Sequence, residues 1–127
     1  MEGIVDTNVV ISAIIKEDIN HQKARMLLLE KFEKWYIPTI VFHEFVWFLK
    51  SLKLSAKIAE KILTHQKTEV IPVEEDDIVF SVRNIKSLKD YNDFLILGVS
   101  IRKQVPLITF DEELRKIAVK FKVKIYQ

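Results

Sequence analysis

Short apolar segments with the character of β-strands alternate with helical segments along the whole chain. The strand-like segments are residues 3–5, 35–38, 70–73, 106–110 and 123–126, and the helical patterns cover residues 8–16, 22–34, 40–52, 56–66, 75–87, 90–103 and 112–121. Strands separated by helices are joined by right-handed crossovers, which place them in a mainly parallel sheet with helices on both faces. The sequence therefore predicts a three-layer α/β/α fold around four to five strands. Thr39 and Ser55 stand where helix N-caps belong.

Length and composition indicate one intracellular domain. The 127 residues suffice for one core but not for a second folding unit, so we expect a single domain over residues 1–127. Hydrophobic residues make up 49% of the chain, with two glycines and three prolines, which argues against linkers. The lack of cysteine excludes disulfides, thiolate zinc sites and a cysteine nucleophile. No apolar run is long enough for a membrane span, so we expect a cytoplasmic protein.

Two acids directly follow predicted strands. Asp6 comes after the first strand, and Asp111 comes after residues 106–110. The carboxyl ends of parallel strands form the edge of the sheet where open α/β proteins bind ligands, so we expect the two carboxylates to lie there together. Either acid could instead be an ordinary helix N-cap. Asn8 and Thr109 lie beside them in sequence and are candidates for orienting a carboxylate.

Glu44 lies within a very apolar helical segment. At spacings of three and four residues its neighbours are Ile40, Val41, Trp47 and Phe48, which predicts that its side chain leaves the helix on the buried face. A buried carboxylate without a partner is strongly unfavourable. The partner could be a lysine or backbone amides, but a divalent cation explains the residue better.

Asp90, Asn92 and Asp93 form another polar cluster, at the start of an apolar helix. Asp93 follows Asp90 by three residues, as in a capping box, which makes Asp90 a helix cap or a secondary acid. Asp93 has Ile96 and Leu97 one turn on, so it points toward apolar surroundings. We therefore favour Asp93 as a metal ligand, and the roles of the two acids could be reversed.

Four carboxylates without cysteine or suitably spaced histidines are a donor set for a hard divalent cation, Mg²⁺ or Mn²⁺. Such a cation activates a water for in-line attack on a phosphodiester. The predicted metal ligands are Asp6, Glu44, Asp93 and Asp111.

At these residues the chain resembles the PIN-domain family, and especially its VapC-type toxins from prokaryotic toxin–antitoxin pairs. The similarity runs from DTNVVI at 6–11, through Glu44 and NDFLILGVS at 92–100, to LITFD at 107–111. The resemblance implies a PIN-like fold and a ribonuclease that depends on Mg²⁺ or Mn²⁺. It also implies a homodimer and a cognate antitoxin whose tail enters the acidic groove.

The resemblance assigns roles to the acids and their neighbours. It implies that Asp6, Glu44, Asp93 and Asp111 are the catalytic quartet and that Asn8 and Thr109 support them. Asp90 is a further supporting acid by its position three residues before Asp93. The departures from the family pattern are modest: Gly98 and Ser100 stand where alanines are common, and Phe110 fills the middle of the closing motif.

Other functions fit part of the pattern. A haloacid-dehalogenase-like phosphatase also has an aspartate after its first strand, but it needs a second aspartate where this chain has Asn8. A catalytically idle PIN module for RNA binding or assembly usually lacks part of the quartet, which is complete here. An RNA-maturation nuclease would look the same as a toxin. The net charge of +2 does not indicate a nucleic-acid partner, although four basic residues near the acids could steer RNA: Lys86, Lys89, Arg102 and Lys103.

Overall fold

The computed structural model describes residues 1–127 and contains one sheet of five strands. The strands are β1 (Glu2–Val5), β2 (Lys34–Pro38), β3 (Thr68–Ile71), β4 (Leu107–Ile108) and β5 (Ile125–Tyr126). They lie in the order β3-β2-β1-β4-β5, and every neighbouring pair is parallel. The structure confirms the predicted α/β fold with its parallel sheet.

Seven α-helices connect the strands. They are α1 (Thr7–Ile14), α2 (His21–Arg25), α3 (Thr39–Ser51), α4 (Ala56–Leu63), α5 (Glu75–Asn84), α6 (Tyr91–Lys103) and α7 (Glu112–Lys120). A π-helical segment, Met26–Lys31, continues α2, and a 3₁₀ turn, Leu88–Asp90, precedes α6. Four predicted helices, those over 8–16, 22–34, 56–66 and 75–87, end two or three residues earlier than expected. In three of them the reason is that the next residue, Ile15, Phe32 or Ile85, has extended backbone angles. None of the helices has both the length and the apolar character needed to cross a membrane.

Close packing of β1 against its neighbours aligns the edge of the sheet that carries the acids. A Cβ on Gly3 would lie 2.9 Å from Cε1 of Phe32 and 3.0 Å from Cδ1 of Ile108, so only glycine fits there without displacing both side chains. Val5 of β1 pairs with Ile108 of β4. The residues that follow these two strands therefore emerge side by side.

One of the two predicted helix caps is correct. The Ser55 side chain accepts a hydrogen bond from the Lys57 backbone N–H and caps α4, as predicted. Thr39 is the first helical residue of α3, and its hydroxyl makes no cap. Instead, Oγ1 of Thr39 accepts a hydrogen bond from the Val73 N–H at 3.1 Å, so it ties the start of α3 to the segment after β3.

Arg102 joins α6 to α5. Its guanidinium donates to both carboxylate oxygens of Asp77, at 2.9 to 3.3 Å, and to the Pro72 carbonyl at 3.0 Å. Asp77 is only 2% exposed. The donors of Arg102 are therefore used within the fold, and its suggested role in steering RNA stays a prediction. Lys103 next to it lies over the ring of Tyr36, 4.8 Å from the centroid.

Candidate active site

Asp6 is held by hydrogen bonds from three neighbours. It caps α1, with Oδ1 accepting from the Thr7 N–H at 2.7 Å. Its Oδ2 accepts from the Thr109 hydroxyl at 2.7 Å and from Nδ2 of Asn8 at 3.1 Å. Asn8 in turn accepts from the Phe110 N–H at 3.2 Å, which joins the start of α1 to the end of β4. The carboxylate is therefore fixed in one orientation at the carboxyl edge of the sheet.

Asp111 caps a helix and also lies at the same carboxyl edge of the sheet as Asp6. Its Oδ1 accepts from the N–H groups of Glu113 and Leu114, at 2.9 and 3.1 Å, and caps α7. The Thr109 hydroxyl accepts from the Asp111 N–H at 3.0 Å, so one threonine contacts both acids. The second carboxylate oxygen of Asp111 accepts no hydrogen bond from the protein and remains available to a ligand.

Glu44 comes to the site from α3, but with partners that the sequence did not indicate. Its carboxylate accepts hydrogen bonds from the Thr7 hydroxyl and from Nδ2 of Asn92, the latter at 3.0 Å. Glu44 is half-buried rather than on the buried face, and Trp47, predicted to share that face, is 69% exposed. The buried side of α3 is formed by Val41, Phe45 and Leu49.

Asp93 is half-buried at the start of α6, and its carboxylate accepts no hydrogen bond from the protein. Burial, together with the negative charges of Asp6, Asp111 and Glu44, raises the pKa of Asp93 to about 7. The pKa of Asp6 is raised to about 6, mainly by burial, against the lowering effect of its hydrogen bonds from Thr109 and Thr7. The four acids therefore form one electrostatically coupled cluster. Clusters of carboxylates with raised pKa values are typical of functional sites.

The predicted capping role of Asp90 is wrong. Its backbone lies near the bridge region, with φ −92° and ψ 1°, and its side chain makes no cap hydrogen bond. An N-capping side chain needs an extended backbone, and the residue that has it here is Ser87, whose hydroxyl accepts from the Lys89 N–H. The charge of Asp90 is the weakest of those that raise the pKa of Asp93.

The donor set of the cluster fits a hard divalent cation, although the carboxylates do not converge on a finished cage. All candidate ligand atoms are carboxylate oxygens, which Mg²⁺ and Mn²⁺ prefer. Asp93 and the second oxygen of Asp111 are free of protein donors. No three carboxylates or histidines meet at metal-binding distance, and the Glu44 carboxylate is held by Thr7 and Asn92. The assignment of metal ligands stays a prediction.

The raised pKa values predict that the metal-free protein loses stability as pH rises. A carboxyl with a pKa raised on folding binds a proton more tightly in the native state, so its contribution is present at pH 4 and is lost as pH rises through 6 to 7. Asp6 should account for a loss on the order of 2 kcal/mol, and half-exposed Asp93 for less. Urea unfolding in EDTA at pH 5 and pH 8 measures this loss.

Asp93→Asn is the informative variant for this measurement, because it removes a charge without removing a hydrogen bond. It should reduce the loss of unfolding free energy between pH 5 and pH 8. Asp76→Asn, at an exposed position in the first turn of α5, makes the same charge change and should leave the loss unchanged. Equal pH dependence in both variants would contradict the coupled cluster.

Comparison with models of known protein families identifies the family of this chain. The family model described as the PIN domain matches residues 3–120. The chain belongs to the PIN-domain family. The family resemblance seen in the sequence is thereby confirmed, and the family assignment excludes a haloacid-dehalogenase-like enzyme. Comparison with curated protein sequences finds no match.

Several solved structures share the fold at low sequence identity. VapC20 of Mycobacterium tuberculosis, a toxin that cleaves the sarcin-ricin loop, has a TM-score of 0.77 and 18% identity over 92% of this chain and 95% of that chain. VapBC2 of Rickettsia felis, solved with a promoter DNA fragment, has a TM-score of 0.70 and 20% identity over 99% and 98% of the two chains. FitAcB of Neisseria gonorrhoeae has a TM-score of 0.67 and 17% identity over 100% and 97%. The fold shared with these structures thus extends over nearly the whole chain.

Proposed function

We propose that this PIN domain, a single domain over residues 1–127, is a metal-dependent endoribonuclease that hydrolyses RNA phosphodiester bonds. The observation that carries the proposal is the cluster of four carboxylates from four different elements, Asp6, Glu44, Asp93 and Asp111, at the carboxyl edge of the sheet. Four mutually repelling anions are unfavourable without a cation, so such a cluster is characteristic of a site for cations and phosphate.

Mg²⁺ or Mn²⁺ would be held by the four acids and would supply an activated water and stabilise charge on the phosphate oxygens. The residues around the acids have separate tasks. Thr109 and Asn8 hold the Asp6 carboxylate in place by donating to its Oδ2. Asp93 and Asp111 each offer an oxygen that no protein group occupies. Glu44 keeps its position through Thr7 and Asn92, and in this role both neighbours are positioning residues.

The same proposal extends to the biological role. Several structures with this fold are VapC toxins or toxin–antitoxin complexes, including VapC20, described as cleaving the sarcin-ricin loop, and VapBC2. We infer by this likeness that the chain is the toxin of a type II toxin–antitoxin pair. Its partners would be RNA, a cognate antitoxin and a second copy of itself in a homodimer, and its place would be the cytoplasm.

The test is cleavage of tRNA, rRNA fragments and unstructured RNA in the presence of Mn²⁺, Mg²⁺ or EDTA. The parent protein should cut at least one of these RNAs with metal and none in EDTA. Asp6→Asn and Asp93→Asn should each lower the rate by at least about 100-fold, since loss even of groups that only orient metal ligands costs 10–100-fold. Asp76→Asn should retain the parent rate.

Two outcomes would contradict the proposal. Cleavage that persists in EDTA or in both site variants would mean that another site, or another protein, cuts the RNA. No cleavage by the parent protein, together with no Mn²⁺ binding, would favour the idle PIN module. An RNA-maturation nuclease would show itself by trimming a precursor to one defined product.

A further inference from the structure

A cleft of about 290 Å³ opens between the end of α5, the start of α6 and the end of α7. Its lining combines exposed lysines with aromatic rings and two shorter polar residues: Lys86, Lys120, Phe94, Phe121, Asn84 and Asp90. Its volume is near the lower end of the roughly 300–1,000 Å³ range typical of small-ligand sites. The proposed cleavage chemistry leaves this cleft without a role.

The cleft adjoins the acidic cluster directly. Phe94 follows Asp93 on α6, and Asp90 lines the cleft while its charge also acts on Asp93. A nucleic-acid strand with one phosphate at the four acids would pass Asp90 to enter this cleft.

The aromatic residues form a packed wall with one accessible member. Phe80 of α5 contacts the ring of Phe121 edge-on, with ring centroids 5.1 Å apart. The rings of Phe94 and Phe121 have centroids 6.3 Å apart and an interplanar angle of 88°. Phe94 is buried, whereas Phe121 is half-buried and reaches the cleft. A held aromatic ring at the side of a cleft is a surface on which any nucleobase can stack.

The polar lining suits the other parts of a nucleotide. Lys86 and Lys120 are exposed cations that can contact phosphates, and together they outweigh the single charge of Asp90. The Nδ2 of Asn84 donates to the Phe80 carbonyl at 2.7 Å, which leaves its Oδ1 free to accept from a base amino group.

We propose that this cleft is a nucleotide subsite, which holds the RNA strand beside the scissile phosphate with a base against Phe121 and phosphates at Lys86 and Lys120. The inference rests on the proposed ribonuclease function and adds the means by which the strand is held. It predicts separate electrostatic and stacking contributions to binding, which can be measured apart.

The electrostatic part is tested by the salt dependence of RNA binding. The parent for this experiment carries Asp93→Asn, so that the RNA stays intact, and binds fluorescent random RNA decamers in EDTA between 50 and 200 mM salt. Adding Lys86→Gln and Lys120→Gln should make the negative slope of log binding constant against log salt less steep by about 1.4, since each phosphate contact to a single strand contributes about 0.7 to its magnitude. Lys57→Gln with Lys61→Gln, on exposed α4 positions, makes the same charge change and should leave the slope unaltered.

The stacking part is tested with Phe121→Leu, which keeps an apolar side chain but removes the ring. Binding should weaken at least about 5-fold with an unchanged salt slope, because base stacking on an aromatic ring contributes about 1–3 kcal/mol and releases no counterions. Circular dichroism confirms that each variant is folded.

The outcomes separate this subsite from the proposed nuclease. Suppose that the protein with Asp93 intact cuts the decamers with Mn²⁺, but the double lysine variant and the Phe121→Leu variant bind RNA as tightly as their parent. The proposed subsite is then wrong and the proposed nuclease stands. If that protein neither cuts the decamers nor, with Asp93→Asn, binds them, both proposals fail. If the α4 control also makes the salt slope less steep, the change in salt dependence comes from net charge rather than from this cleft.

Discussion

Replacing Asp77 with alanine is expected to lower the free energy of unfolding by about 3–5 kcal/mol, the range for removing one partner of a buried ion pair. The Asp77 carboxylate is 2% exposed and accepts from Nε and Nη2 of Arg102 and from the Glu74 N–H. Its loss leaves the Arg102 guanidinium, 24% exposed, without its main partner. Arg102 keeps only a 3.4 Å contact with exposed Glu74 and its bond to the Pro72 carbonyl.

Urea unfolding of the variant measures this loss. Asp76→Ala is the matched control, because Asp76 precedes Asp77 in the first turn of α5 and is exposed. It should lose less than about 1 kcal/mol, as expected for a surface charge near a helix N-terminus. Combining Asp77→Ala with Arg102→Met should recover part of the loss by removing the unpaired cation. Similar losses for Asp76→Ala and Asp77→Ala would contradict the account.

Mn²⁺ is expected to raise the melting temperature strongly through the acidic cluster. A ligand at 100 times its Kd stabilises the native state by about 2.7 kcal/mol, which corresponds to about 10 °C for a chain of this size. The cation would also relieve the repulsion that raises the pKa values of Asp6 and Asp93. Differential scanning fluorimetry with and without Mn²⁺ at pH 8 measures the shift.

Asp6→Asn should abolish the shift while the protein stays folded. Asparagine caps helices about as well as aspartate, so α1 keeps its cap while the site loses its most buried anion. Asp76→Asn should show the full rise. If Mn²⁺ raises the melting temperatures of all three proteins equally, the cation binds elsewhere and the metal assignment is wrong.

Asp6 and Asp111 show how one sequence pattern can carry two functions. Each could be interpreted as a helix cap or as an acid of a ligand site, and local sequence could not choose between them. In the structure each carboxylate caps a helix, and together they stand at one edge of the sheet. The two roles coexist because a strand followed by a helix places the N-cap residue at that edge. Their shared contact with Thr109 follows from the pairing of β1 with β4.

Glu44 shows where helical spacing fails. The spacing of apolar residues three and four positions from Glu44 correctly predicted a helix, but it did not identify the buried face of that helix. Only the side of α3 that meets the sheet and the neighbouring helices is buried. An exposed Trp47 and a half-buried Glu44 result. The partners of Glu44 were missed for the same reason. Thr7 was visible in the DTN string, but no local pattern links it to a residue 37 positions away.

The caps at Thr39 and Asp90 failed because capping depends on backbone angles. Both residue types are common at N-caps, yet Thr39 is already helical and Asp90 ends a 3₁₀ turn. A similar limit applies to Arg102, whose partner Asp77 lies 25 residues away on another helix.

By itself, the sequence determined the alternation of strands and helices, the parallel sheet, the acids at two strand ends and the resemblance to PIN domains. These features follow from local periodicity and from the chirality of strand connections, which act within short stretches of chain. Tertiary structure alone decided which partners orient Glu44, which oxygens remain free and which cleft adjoins the acids. Such features depend on the packing of segments far apart in sequence, where small differences in helix orientation select the atoms that meet.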